Sequence, residues 1–556
     1  MHRRDFVKTV AMSGIALSAS DAIADLLAQS PKGRVLESKF KGLSDVALTE
    51  ARRLGCTYAD IRFTRRTNNS VNATGGNRDA AEAEFGGGRG GGGRGGGRGG
   101  GRGRGFGGGG GNAGEGAGAM DAAGFGVRVI HSGVWGFASS PIVSEDEIRR
   151  ITRMASEVAR ASAIAKKVDV KLAPVPAYTD YWVTPVVKDP SAVPQSDKQA
   201  LVQRVVDLAV ANKEVLTVSA NISLVHEWKY FASSEGSYIE QEIHTTTPSF
   251  TVSARKNGET RSRDYVGEPK TGGWEVAESA GMAENAERIA AEAVEYCTAK
   301  PIDMGMKDLI LTPSHAMLTI HEIVAHATEL DRIMGYEANY AGTSFVKVSD
   351  LGKLKYGSKL FNVTADRTIP GGVATVGYDD DGVKTQEWPL VREGILVGLQ
   401  TNRESAHFIG EKESRGCTSA NSWRDYPFLR MPNVHVDPGP AGSPTPEEMI
   451  ADTRDGVLID GRGSYSIDQQ RYNGQFGGHV FWEIKDGKVT RMVTDVTYNA
   501  ITTDFWGNLD ALSGREHWKL HGTGGDAKGQ PTQTNSISHG SPWLRIRRIM
   551  VGAAFA

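Results

Sequence analysis

The residues best equipped for chemistry are His321, Glu322 and His326, in the run His321-Glu322-Ile323-Val324-Ala325-His326. Neutral imidazole is the commonest zinc ligand, and a carboxylate beside it can act as general base toward a water held by the metal. The spacing is H-E-x-x-x-H, one residue longer than the H-E-x-x-H zinc-protease motif. On a regular helix, residues four apart differ by about 40° in direction, but residues five apart by about 140°. Two histidines five apart share one ion only if the helix widens or ends between them, and a π-type turn does this. The competing reading is two unrelated histidines on a core helix. The surrounding run, Ala316 to Leu330, is apolar and helical in pattern, and Ser314 is its candidate N-cap.

The likeness extends well beyond six residues. Tyr58-Ala59-Asp60-Ile61-Arg62, Gly126-Val127-Arg128-Val129, Trp135-Gly136-Phe137-Ala138, Asp380-Asp381-Gly382-Val383, Arg430-Met431-Pro432-Asn433 and Ile484-Lys485-Asp486-Gly487-Lys488 accompany the histidine run. Together they resemble the TldD/PmbA family of zinc metallopeptidases, in its TldD-like, metal-bearing branch. The resemblance implies that His321 and His326 ligate zinc, that Glu322 activates water, and that Glu329 holds an imidazole from behind.

Where the family pattern carries a metal-binding Cys, in a C-G-K-G-x-P-like loop, this chain reads Gly525-Asp526-Ala527-Lys528-Gly529-Gln530-Pro531. The Cys position falls on Asp526. A carboxylate is an acceptable but harder zinc ligand, so a His-His-Asp site would tolerate other divalent metals more readily. His521 and His539 are competing donors nearby, and a solvated Asp526 would leave the site impaired. Tyr465, Tyr472, Arg471 and Arg430 are candidates for stabilising an oxyanion, and Asn421 or Arg430 for clamping peptide.

The elements that must position these residues fall into two halves. The 556-residue chain is long enough for more than one domain, and its near-zero net charge of −2 argues against a general nucleic-acid binder. Its three cysteines, Cys56, Cys297 and Cys417, show neither metal-site nor disulfide spacing. Residues 1–24 read as a twin-arginine export signal: Arg3-Arg4, an apolar stretch from Thr9 to Ala19, and a small-x-small site at Ala22-Ile23-Ala24. No run approaches membrane-spanning length.

Residues 33–300 read as an α+β domain. A helix over 44–54 precedes alternating residues Tyr58 to Phe63. A Gly/Arg-rich insert at 86–118 reads as an overgrown, disordered hairpin loop, since loop closure costs rise slowly with length. It carries no tyrosine or tryptophan among its arginines, which makes it a weak nucleic-acid platform. Ser144 and Glu147 form a candidate capping box, and Ser196 with Gln199 opens another helix. Strands follow from Val215 to Arg255, then one helix around Glu275 to Cys297. Residues 301–556 read as a β-rich, barrel-like domain with glycine-marked turns, carrying the metal-binding helix.

The expectation is therefore an exported, periplasmic zinc-dependent peptidase acting on unfolded or small peptides. By the resemblance it pairs as a homodimer or with a sister subunit. The second reading is a non-catalytic relative that binds peptide or partner through an impaired metal site.

Overall fold

The N-terminal half is organised by three long antiparallel strands. In the computed structural model, which describes residues 20–77, 122–529 and 531–553, β1 spans Tyr58–Gly75. It pairs with β2 (Ala122–His131) from Tyr58↔Ile130 to Arg66↔Ala122, so the Gly/Arg-rich insert does connect a hairpin. The insert itself lies outside the described residues. With β3 (Val134–Ser140), β4 (Thr179–Val183), β5 (Val215–Ser233), β6 (Tyr238–Lys256), β7 (Glu259–Val266) and β8 (Lys270–Thr271), these strands make an eight-stranded sheet.

Period-two alternation divides this sheet into two faces. One face is covered by helices in two separate clusters. Helices α1 (Lys39–Arg53) and α2 (Glu145–Ser162) bury Phe40, Ala47, Ile148 and Ile151 against Ile61, Phe63, Val127 and Trp228. Helices α3 (Gln195–Val210) and α5 (Met282–Tyr296) bury Val202, Val206, Ala286 and Ile289 against Val71, Val218, Ile222 and Phe250. Helix α1 starts at Lys39, earlier than its apolar stripe suggests, because Ser38 caps it. The expected helix around Glu275 to Cys297 is two, α4 (Trp274–Glu278) and α5, broken where Gly281 adopts a left-handed φ of 66°.

Two expected caps are corrected. Ser144 accepts from the Glu147 N–H, but the Glu147 carboxylate turns to Ser140 and Arg150, so the box is half made. Helix α3 has Pro194 at its N-cap and no side-chain cap, while Gln199 donates to the Asn72 carbonyl.

The other face of the sheet is charged and packs on the C-terminal half. Buried Arg128 bonds Asp60 at 2.7 Å and Asp381 at 2.7 Å, and Arg62 and Lys229 reach Asp380 at 3.0 and 3.2 Å. Three of the sequence stretches that accompany the histidine run thus meet here, away from the metal residues. Buried ion pairs of this kind fix how two surfaces dock more than they add net stability.

In the C-terminal half, the strand Gly305–Leu311 lies between Asp455–Asp460 and Leu544–Ala553 in a ten-stranded sheet. A six-stranded sheet includes Asn433–Val436, Lys519–Lys528 and Gln533–Ser541. The sheet is curled into a half-barrel, in keeping with the α+β, barrel-like expectation. The histidine-bearing helix packs against strands of both sheets, which is why it is apolar all round instead of amphipathic.

Candidate metal centre

Helix α6 (Pro313–Ile320) opens at Thr312, with proline at its first position. Ser314 is not the cap. Its hydroxyl donates to Asp460 and accepts from the Gly461 N–H, tying the helix start to the ten-stranded sheet. The helix then widens into a π turn over His321–Ala325, where the His326 N–H donates to the His321 carbonyl. The chain tightens into a 3-10 turn at His326–Thr328, and Glu329 is extended. The geometric conflict posed by the five-residue spacing is met by this widening. Its cost is contained because the altered carbonyls find partners: Tyr356 Oη donates to Ile323 at 2.6 Å, Gln400 Nε2 to Ala325 at 2.5 Å, and Thr328 Oγ1 to Val324 at 3.0 Å.

The widened turn brings the two rings to 4.5 Å between centroids. Asp526 joins them from the six-stranded sheet. Its Oδ1 lies 3.4 Å from His326 Nε2 and 3.7 Å from His321 Nε2. The glycines around Asp526 suggest a loop, but the residue lies buried on the strand Lys519–Lys528, beside an irregularity in its pairing with Gln533–Ser541.

Each of these three side chains has one polar atom tied off and one left facing the others. His539 donates from Nδ1 to the Val434 carbonyl at 2.9 Å, so its Nε2 accepts, at 3.0 Å, the Nδ1–H of His321. That leaves the His321 Nε2 lone pair free. His326 Nδ1 donates to Glu329 Oε2 at 2.8 Å, which frees its Nε2 in the same way. Arg430 donates to Asp526 Oδ2 at 3.0 Å, leaving Oδ1. Two imidazole nitrogens and a carboxylate oxygen, aimed inward and held from behind, suit zinc or a related divalent ion.

The charges agree with this fit. Burial and His326 push the His321 pKa well below its ordinary value, so that ring is neutral. Burial also opposes charge on His326, but Glu329 and Asp526 outweigh it and raise the pKa. The pocket therefore calls for a positive charge between Asp526 and the histidines, which a bound cation provides without a proton.

Behind the ligands lies a buried ionic support. Glu329 accepts from Arg332 at 3.0 Å and from Lys528 at 2.9 Å, and Lys528 also reaches Asp331 at 2.9 Å. Burial alone would raise the Glu329 pKa, but Lys528, His326 and Arg332 hold it well below the usual carboxylate range. Breaking such a cluster on one side leaves buried charges uncompensated. Glu329→Ala should therefore lose about 3 kcal/mol of stability or more, read as a lower urea midpoint with an unchanged slope. A midpoint equal to wild type would contradict the support role.

The remaining candidates separate clearly. Arg471 forms an ion pair with buried Glu322. It sits in a turn at a left-handed φ of 61°, where Asp468 accepts the N–H groups of Gln470, Tyr472 and Asn473. Tyr465 is beside Glu322, and burial together with that carboxylate raises its pKa. Arg430 is no free oxyanion donor: besides Asp526 it binds the Gln533 carbonyl, which fixes the hairpin. Tyr472 packs tilted against Phe345, and Asn421 donates its N–H to Gln533 and accepts from Thr534. His521 pairs across the strands with His539 but is not among the groups brought together with His321 and His326. His539 holds His321 from behind, a role the sequence reading did not consider. Arg332 and Lys528 were also missed, although Lys528 shares a strand face with Asp526 and Arg332 lies one helical turn beyond Glu329.

Comparison with known proteins follows the same outline. Three consecutive models match: PmbA/TldA metallopeptidase domain 1 over residues 115–162, the central domain over 188–297 and the C-terminal domain over 305–553. A "Metalloprotease" of Methanothermobacter thermautotrophicus is 29% identical over 437 residues, covering 78% of this chain and 89% of the relative. A "Metalloprotease TldD homolog" of Haemophilus influenzae is 23% identical over 343 residues, covering 61% and 68%. A "Zinc metalloprotease TldD homolog" of Saccharolobus solfataricus is 21% identical over 254 residues, covering 45% and 52%. Among solved structures, TldE from Thermococcus kodakarensis shares the fold at a TM-score of 0.63 and 14% identity, covering 92% of this chain and 99% of that one. With the three domains matched in order and the histidine-bearing helix inside the third, the chain belongs to the PmbA/TldD family of metallopeptidases.

Proposed function

We propose that this protein is an exported zinc-dependent peptidase of the TldD-like branch, cleaving unfolded or small peptides. The observation that carries the reading is the convergence of His321 Nε2, His326 Nε2 and Asp526 Oδ1, with the opposite atom of each tied off. Relatives named as metalloproteases support the same reaction class. A zinc ion held by these residues would polarise the scissile carbonyl and make an attacking water more acidic.

The chain's own residues supply the rest. Glu322 follows His321 directly and is buried, with Arg471 bonded to its Oε2. That contact orients the carboxylate and leaves Oε1 to take a proton from the attacking water, then pass it to the leaving amine. Tyr465 lies beside Glu322, where its hydroxyl can donate to that carboxylate or to the developing oxyanion. Arg430 and His539 act by positioning Asp526 and His321. The test is digestion of an unfolded protein by the purified, zinc-loaded enzyme. Stoichiometric zinc without cleavage would point instead to a peptide- or partner-binding relative.

Export and pairing belong to the same reading. Arg3-Arg4 and the apolar stretch after them support the twin-arginine route, although residues 1–19 lie outside the described structure. Ile23, inside the expected cleavage site, is buried in the cluster around α1 and α2, so processing there would remove one apolar contact. Arg3→Lys with Arg4→Lys should leave full-length precursor in the cytoplasm, because a receptor reads the arginine pair. Normal processing of that variant on cell fractionation would refute the route. In this reading the chain assembles as a dimer, with a copy of itself or with a related subunit of the same family, as the family resemblance implies; the fold it shares with TldE is that of such a subunit.

A further inference from the structure

We propose that His226, Glu242 and His244 form a second divalent-metal site, suited to zinc or a related transition-metal ion and independent of the His321 centre. One ligand atom from each residue lies within 4.8 Å of the others. The sheet register dictates this meeting. His226 on β5 is directly opposite His244 on β6, and Glu242 lies two residues from His244 on the same face. The imidazoles stack at 4.4 Å between centroids.

The site occupies a gap in the helical cover of the sheet. Trp228 and Tyr230, next along that face of β5, belong to the α1/α2 cluster. Leu224 and Ile222, in the other direction, belong to the α3/α5 cluster. Apolar packing on both sides is thus interrupted by two histidines and a carboxylate, residues with no packing advantage there.

Two details favour an ion over an ordinary surface pair. His226 Nε2 is buried without a hydrogen-bond partner and lies 3.5 Å from Glu242 Oε2. Glu242 Oε1 accepts from Tyr181 Oη at 2.7 Å, which fixes the carboxylate with Oε2 toward His226. Two imidazoles and one carboxylate, partly open to solvent, leave a coordination position for water or a small anion. Lys32 Nζ, on an exposed side chain, lies 3.2 Å from Glu242 Oε1 and donates to Oε2 at 3.4 Å, so it is the competing cation at that oxygen and can swing away.

The experiment is equilibrium dialysis of the full-length protein against Zn2+ alone, with metal counted per chain. Wild type should hold two equivalents, and His226→Gln with His244→Gln should hold one while peptide cleavage is unchanged. Glu242→Gln, which keeps a hydrogen-bond acceptor for Tyr181, should weaken the second equivalent at least tenfold, and it serves if the double variant does not fold. Lys32→Ala should tighten the second equivalent several-fold, an effect that a purely structural role for these residues does not give. Zinc content equal to wild type in both the double variant and Glu242→Gln would overturn the site. So would an unaltered second affinity in Lys32→Ala together with Glu242→Gln.

Discussion

Glu322→Gln should reduce peptide cleavage by a factor of about 10² to 10⁴, the usual contribution of a positioned general base, while the fold is kept and zinc content stays near wild type. The substitution keeps the size of the side chain and an oxygen for Arg471, but it removes the proton acceptor. The metal residues are untouched, since their supports are His539, Glu329 and Arg430. Burial makes the outcome sharper, because few waters reach Glu322 to substitute as base. Undiminished cleavage at equal zinc occupancy would remove Glu322 from the mechanism. Lost zinc would mean that the carboxylate supports the site instead of acting in the reaction.

Asp526 carries the second large effect. Asp526→Ala should release the metal and, with it, cleavage. The position of Asp526 on a buried strand changes what else is expected. A solvated loop could lose the carboxylate with little harm to the fold, but here removal strands the fully buried Arg430 guanidinium. Uncompensated buried charge costs about 3–5 kcal/mol, so Asp526→Ala should also melt earlier. Asp526→Asn is the cleaner variant: it keeps an oxygen toward Arg430 or toward the histidines, and its zinc affinity should fall without the full stability loss. Asp526→Cys should hold zinc more tightly, through thiolate preference, while manganese and cobalt substitute less readily. Calorimetric titration with each metal reads these differences. Unchanged zinc affinity in Asp526→Asn and Asp526→Ala would place the third ligand elsewhere.

Much of this was legible in the chain, for identifiable reasons. Helical geometry forbids His321 and His326 from sharing an ion on a regular helix, so a distortion between them was required, and the π turn supplies it. The β1–β2 hairpin was legible through its insert because alternation resumes on both sides. What was not legible depends on contacts distant in sequence. Arg430 and Asp526 are 96 residues apart, and Glu329 and Lys528 are 199 apart. No local pattern announces such pairs, so Arg430 read as a substrate clamp instead of the partner of Asp526. Ser314 failed as a cap for a related reason: the helix opens before it, at Thr312, and its hydroxyl oxygen accepts from the distant Gly461 N–H while its proton goes to Asp460. The second histidine cluster was invisible in sequence because His226 and His244 meet only through β5–β6 register.

The most direct test of the proposed peptidase is cleavage of an unfolded protein by the mature enzyme, first stripped of metal and then titrated with zinc. The His226→Gln, His244→Gln background confines binding to the His321 centre. Cleavage should be absent without metal and should rise to a plateau at one zinc per chain. Cleavage that persists in the stripped enzyme, or never appears with the His321 centre filled, would contradict the proposed function.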